Sequence, residues 1–266
     1  MNPSVLSDRI CVIIPTYNNA QTVGEVISGV LTYTEHVLVV NDGSTDHTSE
    51  VVAQYPQITL ISYQKNVGKG WALRQGFEKA VALGYTHAIT IDADGQHFPE
   101  DLPSFYNAVE KQPDAIIVGA RNMDQASVPG KSSFGNKFSN FWFKVETGID
   151  MTDTQSGYRA YPIRLLKDIR FFTKKYEFEI EVLVRAAWRG IAVEQTPVRV
   201  YYAPKEERIS HFRPFQDFSR ISVLNTFLVT IAFLYIKPRD FIRSLKKKMA
   251  GSSYGNNYSI PKNPIA

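Results

Sequence analysis

Residues 87–102 read HAITIDADGQHFPEDL. The first five, His87–Ile91, are an apolar run of the length a buried strand needs. Asp92-Ala93-Asp94-Gly95 then breaks the run with two carboxylates and a glycine. Pro99 opens a segment, Pro99–Lys111, with helical spacing. This unit of strand, polar loop and helix repeats on either side. Upstream, Arg9–Pro15 is a strand, and Ala20–Tyr33 is a helix with Val23, Val26, Ile27, Val30 and Leu31 on one face. His36–Val40 and Ile58–Tyr63 read as strands, Asp46–Tyr55 and Trp71–Leu83 as helices, the latter stopped by Gly84. Downstream, Ala115–Gly119 is a fifth strand. Such alternation predicts an α/β fold, a mostly parallel sheet with helices on both faces.

The chain has 266 residues, 44% hydrophobic and 21% charged, which excludes a disordered tail or a fibre. Cys11 is the only cysteine, which excludes a disulfide framework and a cysteine zinc site and fits a reducing compartment. The histidines are scattered. MNPSVLSDRI lacks the basic and apolar regions of a signal peptide, so none is expected. The net charge of +4 conceals a split: acidic residues dominate as far as residue 163, basic ones from 164 to 248. A basic back predicts an anionic partner there.

Parallel sheets bind ligands beyond the carboxyl ends of their strands. Pro15-Thr16-Tyr17-Asn18, Asn41-Asp42-Gly43-Ser44 and Asp92-Ala93-Asp94-Gly95 each follow a strand, so all three are expected on one rim. Asp92 and Asp94 are alternate residues whose carboxylates can face one ligand. They repel each other unless a cation intervenes, and hard oxygen ligands suit Mg²⁺ or Mn²⁺; Gln96 adds a neutral oxygen. Such an ion would neutralise a departing diphosphate. The plainer alternative is an acidic turn. Asp42 is a candidate acceptor for a nucleobase N–H or ribose hydroxyl, or else part of a turn before a helix capped by Asp46. Asn66-Val67-Gly68-Lys69-Gly70 lacks the P-loop spacing; Lys69 either reaches a phosphate or is a solvated turn lysine.

The segments VIIPTYNN, VVNDGSTDHT, NVGKGWALRQG, ITIDADGQHFPEDL, IIVGARN and DTQSGYRAY occur in this order. Together they resemble family 2 glycosyltransferases of the Rossmann-like GT-A fold. Within these they are most similar to the dolichyl-phosphate mannose synthase-like, or polyprenyl-phosphate glycosyltransferase, branch, over about residues 9–204. The resemblance implies a hexosyltransferase that moves a sugar from a GDP- or UDP-linked donor with inversion, using Mg²⁺ or Mn²⁺. It implies that Pro15, Tyr17, Asn18 and Asp42 surround the nucleoside, and that Asp92, Asp94 and Gln96 serve the metal and diphosphate. Arg121 would meet the acceptor phosphate. Ser156, Gly157, Tyr158 and Arg159 would lie near the donor sugar and acceptor, with Asp153 just upstream.

A lipid phosphate is its own nucleophile and needs cations around it, for which Arg121 and Arg159 are candidates. The alternative is a hydroxyl acceptor in a glycolipid or polysaccharide, which would need a general base: Glu177, Glu179 or Glu181, of which the family pattern favours Glu179. Lys205–Phe215 departs from the branch, and His211 and Arg213 within it are candidate phosphate contacts.

Past residue 120 the alternation stops. Ser132–Thr147 reads as an aromatic helix, Asp153–Tyr161 as a polar loop, Phe178–Arg189 as a helix and Ile191–Tyr202 as strand. Ile221–Ile236 carries no charge and is flanked by Arg and Lys. Its rise of about 24 Å falls short of a ~30 Å hydrocarbon core, which predicts an interfacial or re-entrant helix held by its basic flanks; the alternatives are a tilted span and a buried core helix. With the lipid-linked acceptor this places the enzyme, as an expectation, at the cytoplasmic face of a membrane. The basic residues surround an apolar stretch and do not interleave with stacking aromatics, so no nucleic-acid partner is expected. The expected division is a GT-A domain over 1–204, a basic and apolar membrane-associating helical region over 205–250, and a disordered tail over 251–266.

Overall fold

The computed structural model describes residues 9–122, 130–202 and 213–252. Seven strands form one sheet: β1 (Ile10–Thr16), β2 (Val37–Asn41), β3 (Thr59–Ser62), β4 (His87–Thr90), β5 (Ile116–Arg121), β6 (Arg159–Tyr161) and β7 (Val193–Val198), in the order β3-β2-β1-β4-β6-β5-β7. β3, β2, β1 and β4 are mutually parallel, as β5 and β7 are. β6 runs antiparallel to both β4 and β5. It lies inside the segment expected to be a loop. Three residues, Arg159-Ala160-Tyr161, are too few to show an alternating pattern, and only pairing with both neighbours makes them a strand.

The helices are α1 (Val23–Leu31), α2 (Thr48–Val52), α3 (Lys69–Ala82), α4 (Leu102–Lys111, after a 3₁₀ turn at Pro99–Asp101), α5 (Gly130–Thr147), α6 (Ile163–Leu166), α7 (Phe178–Trp188), α8 (Pro214–Ile231) and α9 (Lys237–Ser252). The alternation of β1 sorts its side chains onto two faces. Cys11 and Ile13 enter a core with Leu73 and Phe77 of α3, Leu183 of α7 and Leu228 of α8. Ile10, Val12 and Ile14 enter a second core with Val26 and Ile27 of α1 and Phe105 of α4. Burial on both faces explains why β1 is apolar at every position from Ile10 to Ile14. Truncating Ile13 to Ala would cost about 2–5 kcal/mol. Gly76 lets α3 approach the sheet closely, since a Cβ there would lie 2.9 Å from Ile13 Cγ2.

The apolar stretch at Ile221–Ile236 is part of a longer helical run. α8 passes through a π-helical turn at Ala232–Ile236 into α9 without a break, and Phe215–Lys246, 32 residues, is long and apolar enough to cross a membrane. The sequence gives the apolar core of this run and misses the polar turns that extend it. One stripe, Ile221, Leu224, Leu228, Ala232 and Ile236, is buried against the domain, while Val223, Phe227, Leu234 and Phe241 point outward. The run is therefore neither a wholly buried core helix nor an unattached one. α9 continues to Ser252; the rest of the expected tail, 253–266, and His211 lie outside the described residues.

Candidate active site

The loops after β1, β2 and β4 meet at one rim, as their positions after strands require. Asn18 adopts a left-handed backbone with φ 51°. Its N–H donates to Ser44 Oγ at 3.0 Å and its Oδ1 accepts from Thr45 N–H at 2.8 Å, so it ties the first two loops together. Asp46 accepts from Thr48 N–H at 3.0 Å, at the start of α2.

Asp42 is buried. Its carboxylate accepts from Gly68 N–H at 2.7 Å, Val67 N–H at 3.1 Å and Asn66 Nδ2 at 3.0 Å. It thereby holds the loop that leads into α3. Burial raises its pKa, opposed by those backbone donors and by Lys175. Gly43, with φ +71°, lets the two loops touch, since a Cβ there would lie 2.5 Å from Asn66 N.

Lys69, at the first turn of α3, points back over the rim. Its Nζ lies 2.7 Å from Asp92 Oδ1 and 3.0 Å from Glu179 Oε1. Burial opposes its charge, yet the two carboxylates outweigh burial and hold it ammonium. Burial likewise works against the Asp92 charge, and Lys69 overcomes it, holding that carboxyl below its usual range. Among the described residues Asp94 forms no ion pair. Its Oδ1 accepts from Gln96 N–H at 3.0 Å, and burial together with the Asp92 charge pushes its pKa up to about 6. Thr22 Oγ1 donates to the Ala93 carbonyl at 2.6 Å and fixes the loop between them.

The loop at 153–158 leads into β6 beside this rim. Asp153 is buried and accepts a fork from Arg121: Nε to Oδ2 at 2.6 Å and Nη2 to Oδ1 at 3.0 Å. Asp153 also takes the N–H groups of Gln155 and Ser156, so it sets the shape of the loop. A Cβ on Gly157 would lie 2.8 Å from Lys69 Nζ and run into Asp92, which is why a glycine stands there.

Three residues that the resemblance assigned to the acceptor side are in the interior. Arg159 is fully buried; its guanidinium donates to the carbonyls of Ser156 (2.6 Å), Glu179 (2.6 Å) and Thr154 (2.9 Å), and to the Tyr161 hydroxyl (3.3 Å). An arginine so engaged cannot also grip an acceptor phosphate without dismantling the loop. Tyr158 is fully buried against Phe105 and His97, with ring centroids 4.4 Å and 5.3 Å away. Ser156 is also fully buried, its Oγ accepting from Tyr158 N–H. In the loop just before β6, Gly157 therefore abuts Asp92 and Lys69 at the rim, while the next side chain, Tyr158, enters the core.

Pro15, Tyr17, Asp42, Lys69, Asp92, Asp94 and Gln96 line one cleft of about 230 Å³. Lys175, Tyr176, Arg213 and Asp217 close its far side. Arg213 was a candidate from sequence; Lys175, Tyr176 and Asp217 carried no motif. Asn18, Arg121, Asp153, Arg159 and Glu179 do not line this cleft, although Glu179 touches Lys69, which does.

The donor set suits a divalent cation in one respect and limits it in another. Two adjacent carboxylates, one with a raised pKa, are relieved by a cation between them. Among the described residues, no three His, Cys, Asp or Glu side chains converge on one point. Asp92, Asp94 and the Gln96 side-chain amide oxygen would thus supply only part of a shell, as befits an ion that shares its ligands with phosphate oxygens and water.

The sheet order and flanking helices are those of a GT-A domain, with the cleft at the carboxyl rim of its strands. The chain belongs to glycosyl transferase family 2, whose model matches residues 11–170, and it is a nucleotide-sugar-dependent glycosyltransferase. It is 30% identical over 205 residues to polyprenol monophosphomannose synthase of Mycolicibacterium smegmatis, spanning 72% of this chain and 77% of that one. It is 27% identical over 215 residues to UDP-N-acetylglucosamine–dolichyl-phosphate N-acetylglucosaminyltransferase of Methanococcus voltae, spanning 73% and 86%. Its fold is similar to that of glucosyl-3-phosphoglycerate synthase from Mycobacterium tuberculosis, crystallised with Mn²⁺, UDP and phosphoglyceric acid. The TM-score is 0.64 and the identity 19%, over 87% of this chain and 82% of that one.

Proposed function

We propose that this enzyme transfers a sugar from a GDP- or UDP-linked donor to a polyprenyl phosphate, with inversion, using Mg²⁺ or Mn²⁺. The observation that carries the reading is the convergence of Asp92, Asp94 and Lys69 with Asp42 and Tyr17 on one cleft. Tyr17, Pro15 and Asp42 would border the nucleoside. Asp92, Asp94 and Gln96 would hold the cation, whose chemistry is to neutralise the departing diphosphate. Lys175 and Arg213 on the far wall are further cations for the anions gathered there.

The state of the acidic residues favours a phosphate acceptor over a hydroxyl one. Glu179 is engaged by Lys69. Glu181 accepts from the Phe172 and Thr173 N–H groups and the Thr173 hydroxyl. Glu177 does not line the cleft. A phosphate acceptor is already anionic and needs no base. Arg121, held by Asp153 beside the rim, would present its remaining guanidinium face to that phosphate. Arg159 and Asp153 then act as positioning residues. The names of the polyprenol and dolichyl-phosphate relatives support the same acceptor class. The outward apolar stripe of α8 and α9 supports work at a membrane surface, and the lone buried cysteine fits the cytoplasmic side.

The test is incubation with a panel of labelled nucleotide sugars and polyprenyl phosphate, followed by lipid extraction. The reading expects a metal-dependent, mild-acid-labile sugar–phosphate lipid; product only on lipid or glycan hydroxyls would refute it.

A further inference from the structure

A second cavity, of about 620 Å³, lies between the C-terminal end of α7 and the π-helical turn joining α8 to α9. Arg185, Arg189, Arg239 and Arg243 line it, with Trp188 and Tyr235. Four guanidinium groups around one hollow repel one another and call for an anion. Part of the cluster has an ordinary structural use. Arg239 Nη2 donates to the Trp188 carbonyl at 3.1 Å, closing the end of α7, and its Nε takes Asp240 at 2.9 Å. The remainder is less fully engaged. Arg185 stacks on the Phe172 ring at 4.9 Å and pairs loosely with Glu181 at 3.8 Å, a carboxylate already engaged by backbone donors, and among the described residues its buried Nε has no hydrogen-bond partner. Arg243 reaches Asp240 only at 4.0 Å, and Arg189 forms no ion pair among the described residues. Asp240 is thus the one carboxylate shared by Arg239 and Arg243.

The surroundings say how the anion is presented. Tyr235 on the wall is 62% exposed, and Leu234 and Phe241 beside it are 77% and 65% exposed. These apolar side chains continue the outward stripe of Val223 and Phe227 along the same helical run. A cationic hollow bordered by bare apolar side chains matches a phosphate headgroup with its acyl chains alongside. π-helical turns commonly occur at functional sites, and this one widens the helix where the hollow lies. The hollow is separate from the active-site cleft. Glu179, in contact with Lys69 at that cleft, precedes Arg189 by about 15 Å along α7.

We propose that this arginine hollow binds a phosphate group, presented by the headgroup of an anionic lipid, and so seats the helical run on a bilayer. The proposal does not rest on the transferase reading, and its test needs neither donor nor acceptor.

The full chain is mixed with vesicles of phosphatidylcholine, with and without phosphatidylglycerol and free of polyprenyl phosphate, and its partition is read by sedimentation. In parallel, labelled inorganic phosphate is offered by equilibrium dialysis. Diffuse attraction to a charged surface should weigh exposed cations most. A built site should weigh Arg185 most, although its side chain is only 20% exposed. The expectation is that Arg185→Gln and Arg189→Gln each weaken partition onto anionic vesicles about thirtyfold, and exposed Lys246→Gln by about fivefold or less. Arg189→Gln, at the surface, guards against a folding defect in Arg185→Gln. Equal losses in all three variants, or partition indifferent to phosphatidylglycerol, would overturn the proposal. Saturable inorganic phosphate binding with vesicle partition untouched by Arg185→Gln and Arg189→Gln would overturn the lipid as its source.

Discussion

Lys69 Nζ lies 2.7 Å from Asp92 Oδ1, so the first turn of α3 places a cation on a carboxylate in the loop after β4. The ammonium takes up part of the charge that a diphosphate and its metal would meet. Lys69→Met should leave Asp92 and Glu179 without their shared partner and lower kcat/KM about 10²-fold, with the donor KM raised. Lys69→Arg should recover little, because Gly157 and Asp92 leave no room for a guanidinium. Steady-state kinetics of the three proteins checks this; full activity in Lys69→Met would remove the lysine from the donor site.

Arg159 donates to three backbone carbonyls from full burial. Arg159→Met should cost about 3 kcal/mol of stability or more, because those carbonyls lose their donors. Arg121→Gln, at the rim, should cost less stability but raise the acceptor KM. Thermal melts and acceptor titrations together separate the two roles. The opposite pattern would return Arg159 to the acceptor.

Glu146, on α5, is buried with neither carboxylate oxygen hydrogen-bonded among the described residues, and burial pushes its pKa up to about 8 from 4.5. The folded state therefore keeps a proton that the unfolded chain releases. Stability tied to this group is complete below pH about 4.5 and is lost as pH rises toward about 8, at up to roughly 1.4 kcal/mol per pH unit. Glu146→Gln should remove that slope, so the variant gains on the wild type as pH rises. Urea melts at about pH 5 and about pH 8 measure it; a constant difference between the two proteins would mean Glu146 is ionised in the fold.

Much of the parallel block β3-β2-β1-β4 is legible in the sequence because β1, β2 and β4 are buried on both faces and read as continuous apolar runs. The rim is legible for the same reason: a polar cluster directly after a parallel strand has only one place to go. β6 escapes because pairing partners more than 40 residues away create it. The resemblance brought out the S-G-Y-R stretch as a motif without saying which side chains face the cleft; the packing of the loop before β6 sets Gly157 against Asp92 and Lys69 and sends Tyr158 inward. Lys175, Tyr176 and Asp217 reach the cleft only through the packing of α7 and α8, which no local pattern records.

The central claim is that Asp92 and Asp94 clasp a divalent cation against the donor diphosphate. Calorimetric titration of the nucleoside diphosphate, with Mn²⁺ and then with a chelator, tests it most directly. The account predicts binding that needs Mn²⁺ and is abolished in a folded Asp94→Asn variant. Binding of equal strength in the chelator, or in Asp94→Asn, would contradict it.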